Sequence, residues 1–280
     1  TTCQDLAESL EQFHATSAAT ALATRLAAKI KTATPALSML SVRGMMVHSA
    51  KWTPEMIRIG NIKDIIPLCG YGVPDEETAL FSNEKYATFI FENELIPYWE
   101  KDGSNTYNQL HFYDLPWPTE VLEQMGEENV KIRITLSYYV KPSPGYAGRS
   151  NKYRYPSATL HFDLKSASES MEEFLCRRNR SEGEKKTDND TNRWTIKQQR
   201  REQGTVQSDW IECTAAELAS CGQIIVYPGQ GWWKERKLAN VDNVIKYSLI
   251  VSIETTKTEI YDAVETAISN RIGVQIMQEV

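Results

Sequence analysis

Two runs of this chain alternate apolar and polar residues with a strict period of two, and that pattern demands strands with one buried face. In VKIRITLSYYV, residues 130–140, Val130, Ile132, Ile134, Leu136, Tyr138 and Val140 alternate with Lys131, Arg133, Thr135 and Ser137. In IKYSLIVSI, residues 245–253, Ile245, Tyr247, Leu249, Val251 and Ile253 share one face. Successive strand side chains point to opposite sides, so each apolar set lines one side of a sheet. YATFIFE, QLHFYDL, SATLHFDL and GQIIVYP read as shorter strands. The spacing of Ile260, Tyr261, Val264, Ile268 and Ile272 predicts a helix that closes the chain.

The first 84 residues are organised on a different period. Ala19, Leu22, Ala23, Leu26, Ala27 and Ile30 recur at i, i+3, i+4, i+7, i+8 and i+11, the buried face of a helix. Thr34-Pro35 ends it, and Ser38 can cap a second helix with apolar Leu40, Val42, Met45, Met46 and Ala50. GYGVPDEETALFS, residues 70–82, carries two glycines and a proline in a turn before the strands begin. Ser17 stands at the start of the first helix. Its hydroxyl fits two roles there: a cap for an unpaired backbone N–H, or a nucleophile.

Composition narrows the function. Thirty-one Lys and Arg against 37 Asp and Glu leave a net charge of −6, which argues against nucleic acid as the main partner. No run of about 18 apolar residues can span a membrane, and TTCQDLAESLEQ lacks the basic and apolar regions of a signal peptide. Cys3, Cys69, Cys176, Cys213 and Cys221 form no CxxC pair and read as reduced thiols of a cytoplasmic protein. Residues 177–202 hold nine basic and five acidic residues with almost nothing apolar, which reads as a solvated insertion.

The remaining candidates are structural on their spacing. His48 reads as a packed helix residue. His111 and His161 sit among apolar neighbours on predicted strands with no carboxylate cluster of metal-ligand spacing, so no metal or cofactor is expected. Trp232 and Trp233 either cover the edge of the β-rich core or form an aromatic platform for a partner, and the first reading is favoured.

The segments ATSAATALATRLAA, VRGMMVHSAKWTPEM and CGYGVPDEETAL resemble the last part of a subtilisin-like serine protease domain of the S8 family. In that family the nucleophile lies in a Gly-Thr-Ser-x-Ala-x-Pro motif. Thr16, Ser17 and Ala19 match it, while Ala15 stands for the glycine and Ala21 for the proline. LPWPTEVLEQMG, ITLSYYVKPSPG, YRYPSATLHFDL, QGTVQSDWIECTAAELA, VYPGQGWWKER and YSLIVSIET resemble the C-terminal region of a bacterial, non-secreted branch.

The resemblance implies a peptide-bond hydrolase acting on protein or peptide substrates, with Ser17 as nucleophile. The family's Asp, His and oxyanion-hole Asn precede the serine. Asp5 and His14 do so here, but His14 lies only three positions before Ser17 and is not cast as the base. The catalytic Asp and His are therefore expected upstream or on another chain, this chain being the C-terminal portion of a larger protease.

The implied fold is α/β. Residues 1–84 form the C-terminal part of a doubly wound subtilase domain, and 85–280 form a β-rich, sandwich-like accessory domain with a charged insertion at 177–204. The same branch implies an AAA-type ATPase partner and a role in bacterial defence. A different class of function also fits the residues: a catalytically inactive interaction module built on a subtilase remnant.

Overall fold

Alternation at residues 130–140 produces a long strand with one apolar and one polar face, and the rest of the architecture is arranged around those two faces. The computed structural model describes residues 15–80, 86–115, 117–143, 155–179, 193–235, 242–255, 260, 262 and 274–278. Five helices come first: α1 (Thr16–Ala33), α2 (Met39–His48), α3 (Pro54–Ile57), α4 (Ile62–Cys69) and α5 (Glu76–Leu80). Strands β1 (Tyr86–Leu95), β2 (Tyr98–Lys101), β3 (Ser104–Tyr107) and β4 (Gln109–Asp114) follow, then α6 (Thr119–Met125), β5 (Asn129–Tyr138) and β6 (Leu160–Leu164). Next come α7 (Met171–Asn179), α8 (Gln198–Arg201), β7 (Val206–Thr214), α9 (Ala215–Ala219) and β8 (Gln223–Pro228). Last are α10 (Trp232–Glu235), β9 (Ile245–Thr255) and β10 (Val274–Gln278).

Two four-stranded sheets, ordered β1-β9-β5-β7 and β10-β4-β8-β6, and the hairpin β2-β3 hold the strands. Every ladder among the described residues is antiparallel. The inward faces share one core. Ile132, Ile134 and Leu136 of β5 and Leu249, Val251 and Ile253 of β9 meet Tyr113 of β4, Phe162 of β6 and Val226 of β8. This is the arrangement of a sandwich, in which alternate residues of both sheets interdigitate. All six strands expected from alternation or short apolar runs are present.

The polar face of the first sheet is also covered. Helix α2 lies on β5 and β9, and α1 lies on α2 through a second cluster of Leu26, Ile30, Val42, Met45, Ala79 and Ile250. Helices and strands are thus mixed as expected, but the N-terminal residues expected to belong to a doubly wound domain form helices, and no parallel ladder occurs among the described residues. Residues 52–72 make an excursion that carries α3 and α4. It is closed where Lys51 and Val73 exchange backbone hydrogen bonds of 2.9 Å. Gly72 at that neck has φ +101°, and a Cβ there would lie 2.2 Å from the Lys51 carbonyl oxygen.

Two sequence expectations are corrected. Residues 193–202 are not a solvated insertion: Trp194, Ile196 and Arg201 are buried. Residues 180–192 of that run lie outside the described residues, as do Tyr261, Val264, Ile268 and Ile272 of the expected closing helix. The apolar stripe of α1 is only half used, because Leu26 and Ile30 are buried while Ala19 is exposed and Leu22 is 65% exposed. As the favoured sequence reading has it, Trp233 is fully buried and Trp232 packs against the same core, so the pair covers the β-rich core rather than forming a platform.

Because α2 buries one face on β5 and β9, residues 1–84 made alone would expose that face in addition to the already exposed first half of the α1 stripe. Isolated 1–84 is expected to show no cooperative thermal transition. A sharp melting curve from that fragment would overturn this account of what supports the helices.

Candidate active site

Ser17 is placed by backbone geometry at an abrupt change from extended chain to helix. Ala15 has φ −156° and ψ 154°, and α1 begins at the next residue. Ala15 is the N-cap and supplies no side-chain hydrogen bond, so Ser17 occupies the second helical position. The capping role is thereby removed, because a cap hydroxyl must sit on the residue before the helix to reach the free N–H groups. The Ser17 side chain is exposed and forms no hydrogen bond among the described residues. The first helical bond is Ala19 N–H to the Ala15 carbonyl at 3.1 Å, which leaves the N–H groups of residues 16–18, on either side of and at Ser17, without an acceptor among the described residues. The first turn carries no acidic residue, so within the helix nothing offsets the positive end of its 18 residues.

The other end of α1 is anchored. Thr34 N–H donates to the Ile30 carbonyl at 3.0 Å, and Lys31 Nζ donates to the Pro35 carbonyl at 2.7 Å. Thr20 and Thr24 return their hydroxyls to the carbonyls of Thr16 and Thr20 at 2.8 Å, a local arrangement that satisfies them without a partner. Lys29 pairs with Glu76 of α5.

Residues 1–87 match the Subtilase family model, Peptidase S8. No curated protein and no solved structure matches the chain. The matched segment spans Ser17, all five N-terminal helices and the first residues of β1, and at family level the match supports a serine peptidase. The residues beyond 87 are outside that match.

Within the matched segment, α2 is capped as expected: Ser38 Oγ accepts from Ser41 N–H at 3.3 Å. His48 is the packed residue it was expected to be. Its Nδ1 lies 2.8 Å from Thr135 Oγ1 and its Nε2 2.8 Å from Ser252 Oγ, and burial, aided by Arg133 and Lys131, holds its pKa well below the imidazole range. Both ring nitrogens are engaged and no carboxylate orients the ring, so His48 cannot serve Ser17 as a base.

His111 is buried between the sheets with Nδ1 2.6 Å from Tyr247 Oη. His161, on β6, has Nδ1 3.5 Å from Glu202 Oε1 and Nε2 3.2 Å from Thr159 Oγ1. Asp5 and His14 lie outside the described residues. The structure thus brings no described histidine or carboxylate to the Ser17 hydroxyl. No group of three metal-ligating side chains occurs among the described residues, and no helix there is long and apolar enough to cross a membrane.

Two of the described thiols, Cys213 and Cys221, are unreactive by environment. Burial pushes Cys213 up to about 12 and raises Cys221, so neither forms a thiolate near neutral pH.

Sequence reading missed the residues that seat α2. Arg133 of β5 donates from Nη1 to the Ala50 carbonyl at 2.7 Å and from Nη2 to the Val47 carbonyl at 3.1 Å. Ser41 Oγ–H donates to the Glu92 carboxylate, and its oxygen shares a hydrogen bond of 2.7 Å with the Ser248 hydroxyl. Their signal was the polar half of the alternation in β5 and β9, which period alone assigns to solvent.

Proposed function

We propose that this chain carries the nucleophile of a subtilisin-like serine endopeptidase. The carrying observation is Ser17 itself: exposed, uncapped, at the N-terminus of a long helix, inside the segment that matches the subtilase model. Its Oγ attacks a peptide carbonyl carbon while a histidine base takes its proton. The tetrahedral oxyanion faces the free N–H groups and positive end of α1, which stabilise the charge as it develops. Collapse expels the amine and leaves an acyl-enzyme on Ser17, which water hydrolyses.

In this reading the Asp and His come from an upstream protease half or a second chain. The exposed apolar stripe around Leu22 supports such a neighbour, since that stripe has no cover among the described residues. Residues 1–84 serve as the catalytic part and 85–280 as the accessory part. By resemblance alone, the proposal extends to a cytoplasmic bacterial protein paired with an AAA-type ATPase in defence.

A fluorophosphonate probe tests the role of Ser17. It is expected to label Ser17 when the Asp- and His-bearing half is present and not to label this chain alone, because an unassisted hydroxyl reacts poorly. Ser17→Ala is expected to abolish labelling while changing stability by less than about 0.5 kcal/mol, the ordinary range for an exposed side chain without a cap bond. A folded, complete protein that leaves Ser17 unlabelled would replace this proposal with the catalytically inactive interaction module.

A further inference from the structure

Helix α1 is held at one end and works at the other. Its buried residues are Leu26 and Ile30, both in its second half. At 1.5 Å per residue, Ser17 lies about 20 Å along the axis from Ile30. A tilt of about 10° at the anchor therefore moves the Ser17 hydroxyl by about 3 Å, several times the tolerance of a reacting group. The orientation of Ser17 thus depends on whatever fixes α2, the helix on which α1 rests.

Helix α2 is fixed by directional polar contacts. His48 straddles two strands, with one ring nitrogen on Thr135 of β5 and the other on Ser252 of β9. Arg133 rises from β5 to the Val47 and Ala50 carbonyls at the C-terminal end of α2. Its own fork is held by Ser208 Oγ at 3.1 Å, and its guanidinium lies 5.1 Å from the Trp210 ring centre. At the other end Ser41 bonds Ser248. Between these points Gly44 lets the helix approach so closely that a Cβ would stand 2.6 Å from Ile250 Cδ1.

An apolar seat of the same size would bury as much surface, yet it would let the helix slide and rotate. Hydrogen bonds to buried groups have fixed directions, and leaving any one unmade is costly, so this seat admits one register. A polar seat adds little net stability over an apolar one; its distinctive contribution is conformational specificity.

We propose that His48 and Arg133 are positioning residues for the reaction at Ser17, and that the β-rich region serves as the seat of the nucleophile helix. The proposal rests on the reading of Ser17 as nucleophile, and its test has an arm that does not. Spin labels are placed through a non-cysteine handle at Leu22 on α1 and Glu212 on β7, both exposed, and their distance distribution is measured by pulsed electron resonance. His48→Ala and the milder Arg133→Lys, which keeps the charge but loses the planar fork, are compared with Leu218→Ala in the main core as a stability control.

The distribution is expected to broaden in the two seat variants and to keep the parent's width in Leu218→Ala. In the complete protein, fluorophosphonate labelling of the seat variants should slow by about 100-fold, the cost of a misplacement near 1 Å, and that of the control should stay at the parent rate. An unchanged distribution in both seat variants, or equal broadening in Leu218→Ala, would overturn the proposal. Absence of labelling in the parent sinks the nucleophile reading instead, and the distance arm then decides alone whether His48 and Arg133 orient α1.

Discussion

Replacing Asp209 by alanine is expected to lower the stability of the protein by about 3–5 kcal/mol, the cost of breaking a buried ion pair from one side. Asp209 is fully buried on β7 and Arg201 nearly so on α8, with Nη1 3.7 Å from Oδ2. The carboxylate also accepts three backbone bonds, from Ile196 N–H at 2.8 Å, Lys197 N–H at 3.1 Å and Trp210 N–H at 2.9 Å. Arg201 is held between the rings of Phe162 and Trp194, 4.4 and 4.6 Å from their centres, and donates to the Phe162 carbonyl at 3.2 Å. Burial pushes the Asp209 carboxyl up and the guanidinium opposes that shift, so each ion is tolerated because of the other.

Asp209→Ala leaves a buried cation and three backbone donors without their acceptor, and segment 193–202 loses its anchor to β7. Urea denaturation of the full chain measures the loss. A decrease below about 1 kcal/mol, the size of an ordinary surface ion pair, would mean that the segment is not packed as described. The exposed Lys246–Glu94 pair at 2.9 Å is the contrast, and Lys246→Ala is expected to leave the unfolding midpoint where it is.

Acid is expected to destabilise the protein well above the carboxylate range. Burial holds His48 well below the usual imidazole pKa, with Arg133 and Lys131 adding to the effect, and burial brings His111 down to about 4. In the unfolded chain both titrate near the ordinary value of about 6.5. Between the folded and unfolded values the unfolded chain binds more protons, so stability rises with pH. The contribution is complete above about pH 6.5 and is lost as pH falls toward the folded values.

For His111, a window from 6.5 to about 4 corresponds to about 3 kcal/mol. His48 acts in the same direction over the same upper window. Asp209 has the opposite sign, because its raised carboxyl takes a proton in the folded chain first, and it offsets part of the loss at the acid end. Unfolding free energies at about pH 7 and pH 5 should differ by several kcal/mol in the parent and by less in His111→Phe. Equal stabilities at the two values would sink the assignment of both histidines as buried and neutral.

Periodicity alone determined much of this molecule. The alternation of β5 and β9, the shorter runs of β1, β4, β6 and β8, the end of α1 at Thr34-Pro35 and the cap at Ser38 are local matters of side-chain direction and backbone hydrogen bonding. The match of Thr16, Ser17 and Ala19 to a nucleophile motif was likewise readable without coordinates. What the chain could not disclose locally is where polar residues are buried. Gln207, Ser208 and Asp209 interrupt the apolar pattern of β7 and hid that strand, because their partners Tyr138, Thr135 and Arg201 stand on other elements. Residues 193–202 read as solvent-facing by charge, and only the neighbouring Asp209 and Phe162 make Arg201 an interior residue. The polar halves of β5 and β9 read as a wet surface, and only the docking of α2 turns Thr135, Ser248 and Ser252 into its seat. A buried polar group is tolerated when another element completes its hydrogen bonds, and which element does so is a fact of tertiary structure that spacing cannot carry.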